Sequence, residues 1–359
     1  MDNSTLPGLF GLVNSNRDFT RKRYWGKNQF NSSFPAALAC YMGNIGIEPV
    51  YLCLDQNSEI TKKVITVREL FGLAPLSPHL HFSFESIYTP YEMFVIGDLP
   101  RVDLVTLDTS PERALSLQPL EIKLTALPDD QTHDLSEDQF GCEIVVRPDT
   151  IVYLALGIIS IYRNERSVLL NMIEPICSEV RDWGDPAQVR PLVGIMTEAL
   201  DRALINKLEQ QTPLLMQPVW KTRGKSPILH DDCLDLFVWS DFAFTRLFVS
   251  GAQNAGSFRI TRFERTLFWL IKMLYDFAQY GKFAPRETID RLTYDTRNDK
   301  AFSVGGRITH QYMKSPELTT PRIGKDAFRE IIIGGGHHFL SPERRLDAVI
   351  LNTPGLFLE

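Results

Sequence analysis

The stretch RVDLVTLDTSPERALSLQPLEIKL, residues 101–124, decides how this chain folds. Its first eight residues alternate. Asp103, Val105 and Leu107 share one face of a strand, and Leu104, Thr106 and Asp108 share the other, because successive strand residues point to opposite sides. At the far end Leu120, Ile122 and Leu124 make an apolar face, while Glu121 and Lys123 lie side by side on the opposite one. Either charge is costly to bury without a partner. The segment between, TSPERALSLQP at 109–119, reads as a loop. If the two strands pair, Asp103 comes beside Glu121. Two carboxylates that close repel, and one holds a proton unless a cation sits between them. Carboxylate oxygens with waters suit Mg2+, and Lys123 then points at the same spot. A metal there polarises a phosphoryl oxygen and lowers the pKa of bound water from about 15.7 towards neutrality. Lys123 could orient that water or stabilise the charge that develops in the transition state. The pattern therefore suits phosphodiester hydrolysis. A short motif of this kind also fits a surface strand with an ordinary Glu–Lys pair.

The rest of the chain bounds this reading. It has 359 residues, 44% hydrophobic and 23% charged, an ordinary globular balance. A chain of this length buries roughly three quarters of its unfolded surface and needs no disulfide or structural metal to fold. The formal net charge of -6 excludes a global basic footprint, so any nucleic-acid contact must be local. One local excess exists. NSNRDFTRKRYWGKNQFNSS at 14–33 sets Arg17, Arg21, Lys22, Arg23 and Lys27 against a single acid, Asp18, with Tyr24, Trp25, Asn28 and Asn31 interleaved. It reads as a phosphate-tracking or base-contacting arm, with a plain solvated arm as the alternative. A second basic region follows residue 281, with Lys282, Arg286, Arg291, Arg297, Lys300, Arg307, Lys314, Arg322 and Lys325.

Five scattered cysteines without a C-x-x-C read as reduced thiols of a cytoplasmic protein. The N-terminus lacks the basic region and apolar run of a signal peptide. No apolar run reaches the roughly 18 residues of a membrane span; the most apolar segment, TIVYLALGIISIY at 150–162, reads as a buried helix capped by Asp149 or Thr150. His337 and His338 follow three glycines and read as loop residues that touch phosphate or nothing; no Lys–Ser/Thr follows to make a P-loop.

Elsewhere the pattern predicts a short helix over 34–44 and a hairpin of strands at 50–54 and 63–67. It predicts a strand or helix end at 91–97, a strand at 143–148, and helices over 167–182 and 192–211. FERTLFWLIKMLYDFAQYG at 263–281 repeats apolar residues at helical spacing, with Gly281 as C-cap, and reads as core or as a dimer face. The fold class is α/β, a mixed central sheet flanked by helices. The catalytic core falls in residues 1–165 and a mainly helical part in 166–359, unless the two form one integrated domain.

VDLVTLD…PLEIKLTALPD resembles the Asp…Glu-x-Lys core of the PD-(D/E)xK nucleases. NSNRDFTRKRYWGKNQFNSSFPAALACYM resembles the HindVP/HgiDI-like group of type II restriction endonucleases, and the two blocks span about the first third of the chain. The resemblance implies a Mg2+-dependent endonuclease that cuts double-stranded DNA at a short palindrome, of site type GRCGYC. It implies Asp103 and Glu121 as metal ligands, the backbone carbonyl of Ile122 completing the set, and Lys123 as catalytic cation. No PD dipeptide precedes the strand, so Asp98 and Asp108 stay rivals of Asp103, which is preferred because it opens the apolar alternation. Glu85 and Glu92 are candidates for a further upstream acid. A two-fold dimer would match a palindrome, with base contacts from the arm and the basic tail, and a DNA methyltransferase is expected as a separate protein. The competing readings are a nuclease without sequence specificity and a non-catalytic DNA-binding protein.

Overall fold

The computed structural model describes residues 48–75, 77–122, 125–127, 144–217, 219–223, 226–229, 237–256, 258–294 and 300–304. The 34–44 helix expected from the sequence lies outside them.

β1 (Val50–Leu54) is buried at every position, as expected of an apolar run with sheet neighbours on both sides. It turns into β2 (Ile60–Val64) through a loop in which Asp55 Oδ1 accepts from the amides of Asn57 and Glu59. β2 is an edge strand and carries exposed Lys62 and Lys63, charges that discourage pairing with another chain. The expected strand at 63–67 is thus shifted. Thr66 and Glu69 form a capping box that starts α1 (Val67–Phe71), which Gly72 ends at φ 79°.

β3 (Leu80–Ser86) follows, then a 3-10 helix over Thr89–Phe94 where the sequence allowed a strand or helix end. β4 (Val102–Ser110) and β5 (Arg113–Ile122) form one long hairpin. The predicted loop at 109–119 is therefore mostly strand. The chain turns only at Pro111–Glu112, helped by Asp108 Oδ1, which accepts from the amide of Ser110.

β6 (Thr125–Leu127) and β7 (Ile144–Val146) precede α2 (Pro148–Tyr162). Neither Asp149 nor Thr150 caps α2. The N-cap is Arg147, without a side-chain capping bond, and Pro148 begins the helix, where its fixed φ is suited and its missing N–H costs nothing. Next come α3 (Arg166–Cys177), α4 (Pro186–Val189) and α5 (Val193–Ile205). β8 (Pro213–Gln217), β9 (Val219–Arg223), β10 (Ser226–Leu229) and β11 (Phe237–Ser240) lead to α6 (Asp241–Gln253). α7 (Arg262–Tyr280), α8 (Pro285–Arg291) and β12 (Phe302–Val304) complete the described elements.

The main sheet is seven-stranded and mixed, in the order β2-β1-β11-β8-β5-β4-β3. β1 pairs parallel with β11, and β5 parallel with β8; the other neighbours are antiparallel. β8 and β11 come from beyond residue 165, yet they stand in the middle, between β1 and β5. Helices α2, α3, α5, α6 and α7 join the sheet in one apolar core. α7 is buried nearly all round, with Leu267, Phe268, Trp269, Leu270, Ile271 and Leu274 all inside. Its apolar stripe is core. Gly281 caps it in the left-handed conformation, as the sequence predicts. Among the described residues no helix is long and apolar enough to cross a membrane.

Candidate active site

β4 and β5 pair in the register Leu104↔Leu120. One step further along the hairpin this register brings Asp103 opposite Glu121, and facing residues of an antiparallel pair point to the same side. A hydrogen bond locks the arrangement: the amide of Ile122 donates to Asp103 Oδ2 at 2.8 Å. β8 supports β5 from its other side, with Glu121↔Leu215 and Ile122↔Met216. Glu121 is only 8% exposed. A carboxylate this buried needs polar partners, and Thr150 supplies one, its hydroxyl donating to Glu121 Oε1 at 2.9 Å.

Thr150 lies in the first turn of α2, so the positive end of the helix dipole faces the acids and favours negative charge there. One turn on, the Tyr153 hydroxyl donates to the carbonyl of Pro100 at 2.9 Å. It ties α2 to the segment that leads into β4. Burial pushes the Tyr153 phenol up, with the charges of Glu121 and Asp149 adding to the effect, so it serves as a neutral hydrogen-bonding group. The opposite face of the hairpin is structural: the Thr106 hydroxyl donates to the carbonyl of Phe71 in α1.

The rival acids are placed apart. Asp108 sits at the turn end of β4, five residues from Asp103, and is engaged by the Ser110 amide. Asp98 and Glu92 are both exposed, before β4 and on the 3-10 helix. Glu85 has a different position. β3 pairs with β4 through Phe84↔Leu104 and Ser86↔Val102, which leaves the backbone of Glu85 level with Asp103. The backbones of Glu85, Asp103 and Glu121 thus stand in one row across β3, β4 and β5.

Lys123 and the arm residues Arg17, Arg21, Lys22, Arg23, Lys27, Asn28 and Asn31 lie outside the described residues, as do His337 and His338. Of the basic tail, Arg286 in α8 lies near the start of α2, its Nη2 3.7 Å from Asp149 Oδ1, with the Arg side chain largely in solvent and the Asp half-buried. Among the described residues no three His, Cys, Asp or Glu side chains gather where they could hold a metal ion. Two carboxylates on adjacent strands still suit Mg2+, which takes one or two such ligands and keeps several waters. Cys53 and Cys177 are buried free thiols; burial pushes the Cys177 thiol up to about 12, so it is an inert core group.

Sequence reasoning missed two features. It took Thr150 as a possible cap, whereas its hydroxyl serves Glu121. It also passed over Asp241, fully buried at the start of α6, which accepts from the amide and hydroxyl of Thr212 and from its neighbour's amide at Phe242. Asp241 follows a strand and opens a helix, where an acid is ordinary, and nothing local marks it as buried.

The profile of the HindVP restriction endonuclease family matches residues 25–357. The chain belongs to the HindVP restriction endonuclease family. Within that family it is 47% identical over 353 residues to the type II restriction enzyme HgiDI of Herpetosiphon aurantiacus, covering 98% of each chain. It is 42% identical over 352 residues to the probable type II restriction enzyme HindVP of Haemophilus influenzae, covering 98% of this chain and 95% of that one. No solved structure matches. The HindVP-family match takes in the acids, α2, the strands β8 and β11, and the basic tail, well beyond the first third that carried the resemblance in the sequence.

Proposed function

We propose that this chain hydrolyses phosphodiester bonds of double-stranded DNA at a short palindromic site, as a Mg2+-dependent type II restriction endonuclease with a PD-(D/E)xK-like core. One observation carries the reading: the β4–β5 register, pinned by the bond from Ile122 to Asp103, sets Asp103 beside the buried Glu121. Names of the two relatives, both type II restriction enzymes, support it.

Asp103 and Glu121 are the metal ligands, with the Ile122 carbonyl completing the protein donors. When bound, Mg2+ supplies Lewis acidity and an activated water. The chain's own residues do the rest. The β4–β5 hairpin orients the two carboxylates, α2 closes over Glu121 and keeps solvent from it, and its dipole favours a phosphate at the rim. Lys123 follows Glu121 by two residues and serves as the cation that meets charge developing on the phosphoryl group. Glu85 is proposed as the upstream acid in preference to Glu92, because its backbone is level with that of Asp103 in the register. The arm at 17–31 and the basic tail hold DNA, two copies act across the palindrome, and GRCGYC is the site type proposed. A separate methyltransferase would protect the host's own sites.

Digestion of unmethylated plasmid tests this directly. Discrete fragments with Mg2+, none with EDTA, and none from Glu121→Ala or Lys123→Ala protein that still binds DNA are expected. A smear would indicate a nuclease without sequence specificity. Intact plasmid under every condition would leave a non-catalytic DNA-binding protein.

A further inference from the structure

Among the described residues, three of the four other buried helical threonines satisfy their hydroxyls in a different way from Thr150, Thr245 being the exception. Thr197, Thr266 and Thr288 each donate to the carbonyl four residues back, those of Val193, Arg262 and Ala284. This is the usual way a helical threonine satisfies its hydroxyl. For Thr150 the residue four back is Val146, which lies in β7 ahead of the N-cap Arg147 and whose carbonyl accepts from the amide of Ala301 at 2.7 Å, so no helical carbonyl stands at that place. The Thr150 hydroxyl instead donates from α2 to Glu121 Oε1 on β5. Thr150 is 1% exposed and β-branched, which leaves it few χ1 rotamers. Pro148, two residues earlier, fixes the entry of the helix. The donor is therefore held in place by backbone and packing before any ligand arrives.

We infer that Thr150 is a positioning residue for Glu121: it fixes the plane of that carboxylate and commits one of its oxygens, so that Glu121 meets a divalent cation in one orientation. The inference rests on the reading of Asp103 and Glu121 as metal ligands. Groups that orient a ligating carboxylate change metal affinity or activity by about 10–100-fold when removed. A merely structural threonine would lower stability and leave the response to the cation alone.

The experiment compares wild type, Thr150→Val, Thr150→Ser and Glu121→Gln proteins. Two quantities are measured against Mg2+ concentration: the thermal unfolding midpoint without DNA, and the rate of plasmid cleavage. Wild-type protein gains thermal stability as Mg2+ binds, and Glu121→Gln loses that gain. Thr150→Val should need about 10–100-fold more Mg2+ for half of both effects, and Thr150→Ser should restore most of the response. If Thr150→Val does not fold, Thr150→Ala against Thr150→Ser makes the same comparison. A folded Thr150→Val or Thr150→Ala protein with the wild-type Mg2+ midpoint overturns the inference while leaving the site intact. A Glu121→Gln protein that keeps the wild-type response overturns the site reading, and this inference with it.

Discussion

The amide of Ile122 donates a 2.8 Å hydrogen bond to Asp103 Oδ2. Ile122 directly follows Glu121 in the chain, so this one bond fixes the end of β5 against the first acid of β4. A slip of one residue in the pairing would turn Asp103 away from Glu121. The register is held from three sides: by this bond, by the Leu104↔Leu120 ladder, and by β8 on the far side of β5.

Asp103→Asn should abolish cleavage while leaving the fold and DNA binding in place, because an amide cannot replace the charge that holds a divalent ion. Asp108→Asn should cleave at close to the wild-type rate. Asp108 braces the turn end of the hairpin through the Ser110 amide, a bond that the Asn Oδ1 still accepts, so stability should change by less than about 1 kcal/mol. Cleavage assays paired with denaturant melts separate the two, and a dead Asp108→Asn with an active Asp103→Asn would exchange their roles.

Among the described residues of the basic tail, Arg286 approaches the start of α2. Its 3.7 Å approach to Asp149 joins a largely exposed Arg side chain to a half-buried Asp, and so loose and solvated a pair stabilises by little, so a phosphate can replace Asp149 at small cost. Arg286→Ala should weaken DNA binding and reduce the slope of log affinity against log salt by about one. Unfolding midpoints should stay near wild type. Binding isotherms at several salt concentrations read both, and an unchanged slope would remove Arg286 from the DNA interface.

Asp241 should make stability depend on pH. Burial raises its carboxyl from an ordinary 3.8 to about 7, against the opposing effect of hydrogen bonds from Thr212 and the Phe242 amide. Between these values the folded state holds a proton that the unfolded chain releases. Its contribution is therefore full below about 3.8 and is lost as pH rises through about 7. Urea melts of Asp241→Asn from pH 5 to 8 should show a flatter dependence than wild type. The same slope in both would assign the titration elsewhere.

Gly157→Ala should destabilise, although alanine is the better helix former by about 1 kcal/mol. A Cβ at Gly157 in α2 would come within 2.9 Å of Asp241 Oδ2. That oxygen accepts from the Thr212 hydroxyl and cannot swing aside without breaking the bond. Overpacking costs about 1–3 kcal/mol, enough to outweigh the propensity gain. A lowered melting temperature is expected, and a raised one would show that α6 can move away from α2.

Local periodicity made several elements legible. A continuous apolar run marked β1, apolar alternation marked β4, and helical spacing with a terminal glycine marked α7. The hairpin half from 109 to 119 was misread because Ser110, Pro111 and Glu112 are turn residues and Ser116, Gln118 and Pro119 looked like their continuation. Pairing with β4 makes that polar segment a strand, and pairing with a distant partner leaves no local mark. The start of α2 was placed too late for a related reason: Thr150 is a common capping type, but its hydroxyl goes to Glu121, 29 residues away.

The sequence by itself determined the α/β class, the family, and which residues of one strand or helix share a face, since faces follow from a period of two or 3.6 along one segment. Only the tertiary structure decided what each face meets. It inserted β8 and β11 between β1 and β5, placed Asp108 at a turn, brought the backbone of Glu85 level with that of Asp103, and gave Glu121 its donor in Thr150. Periodicity records how a segment is divided between water and core; the identity of the neighbour comes from contacts between segments far apart in the chain.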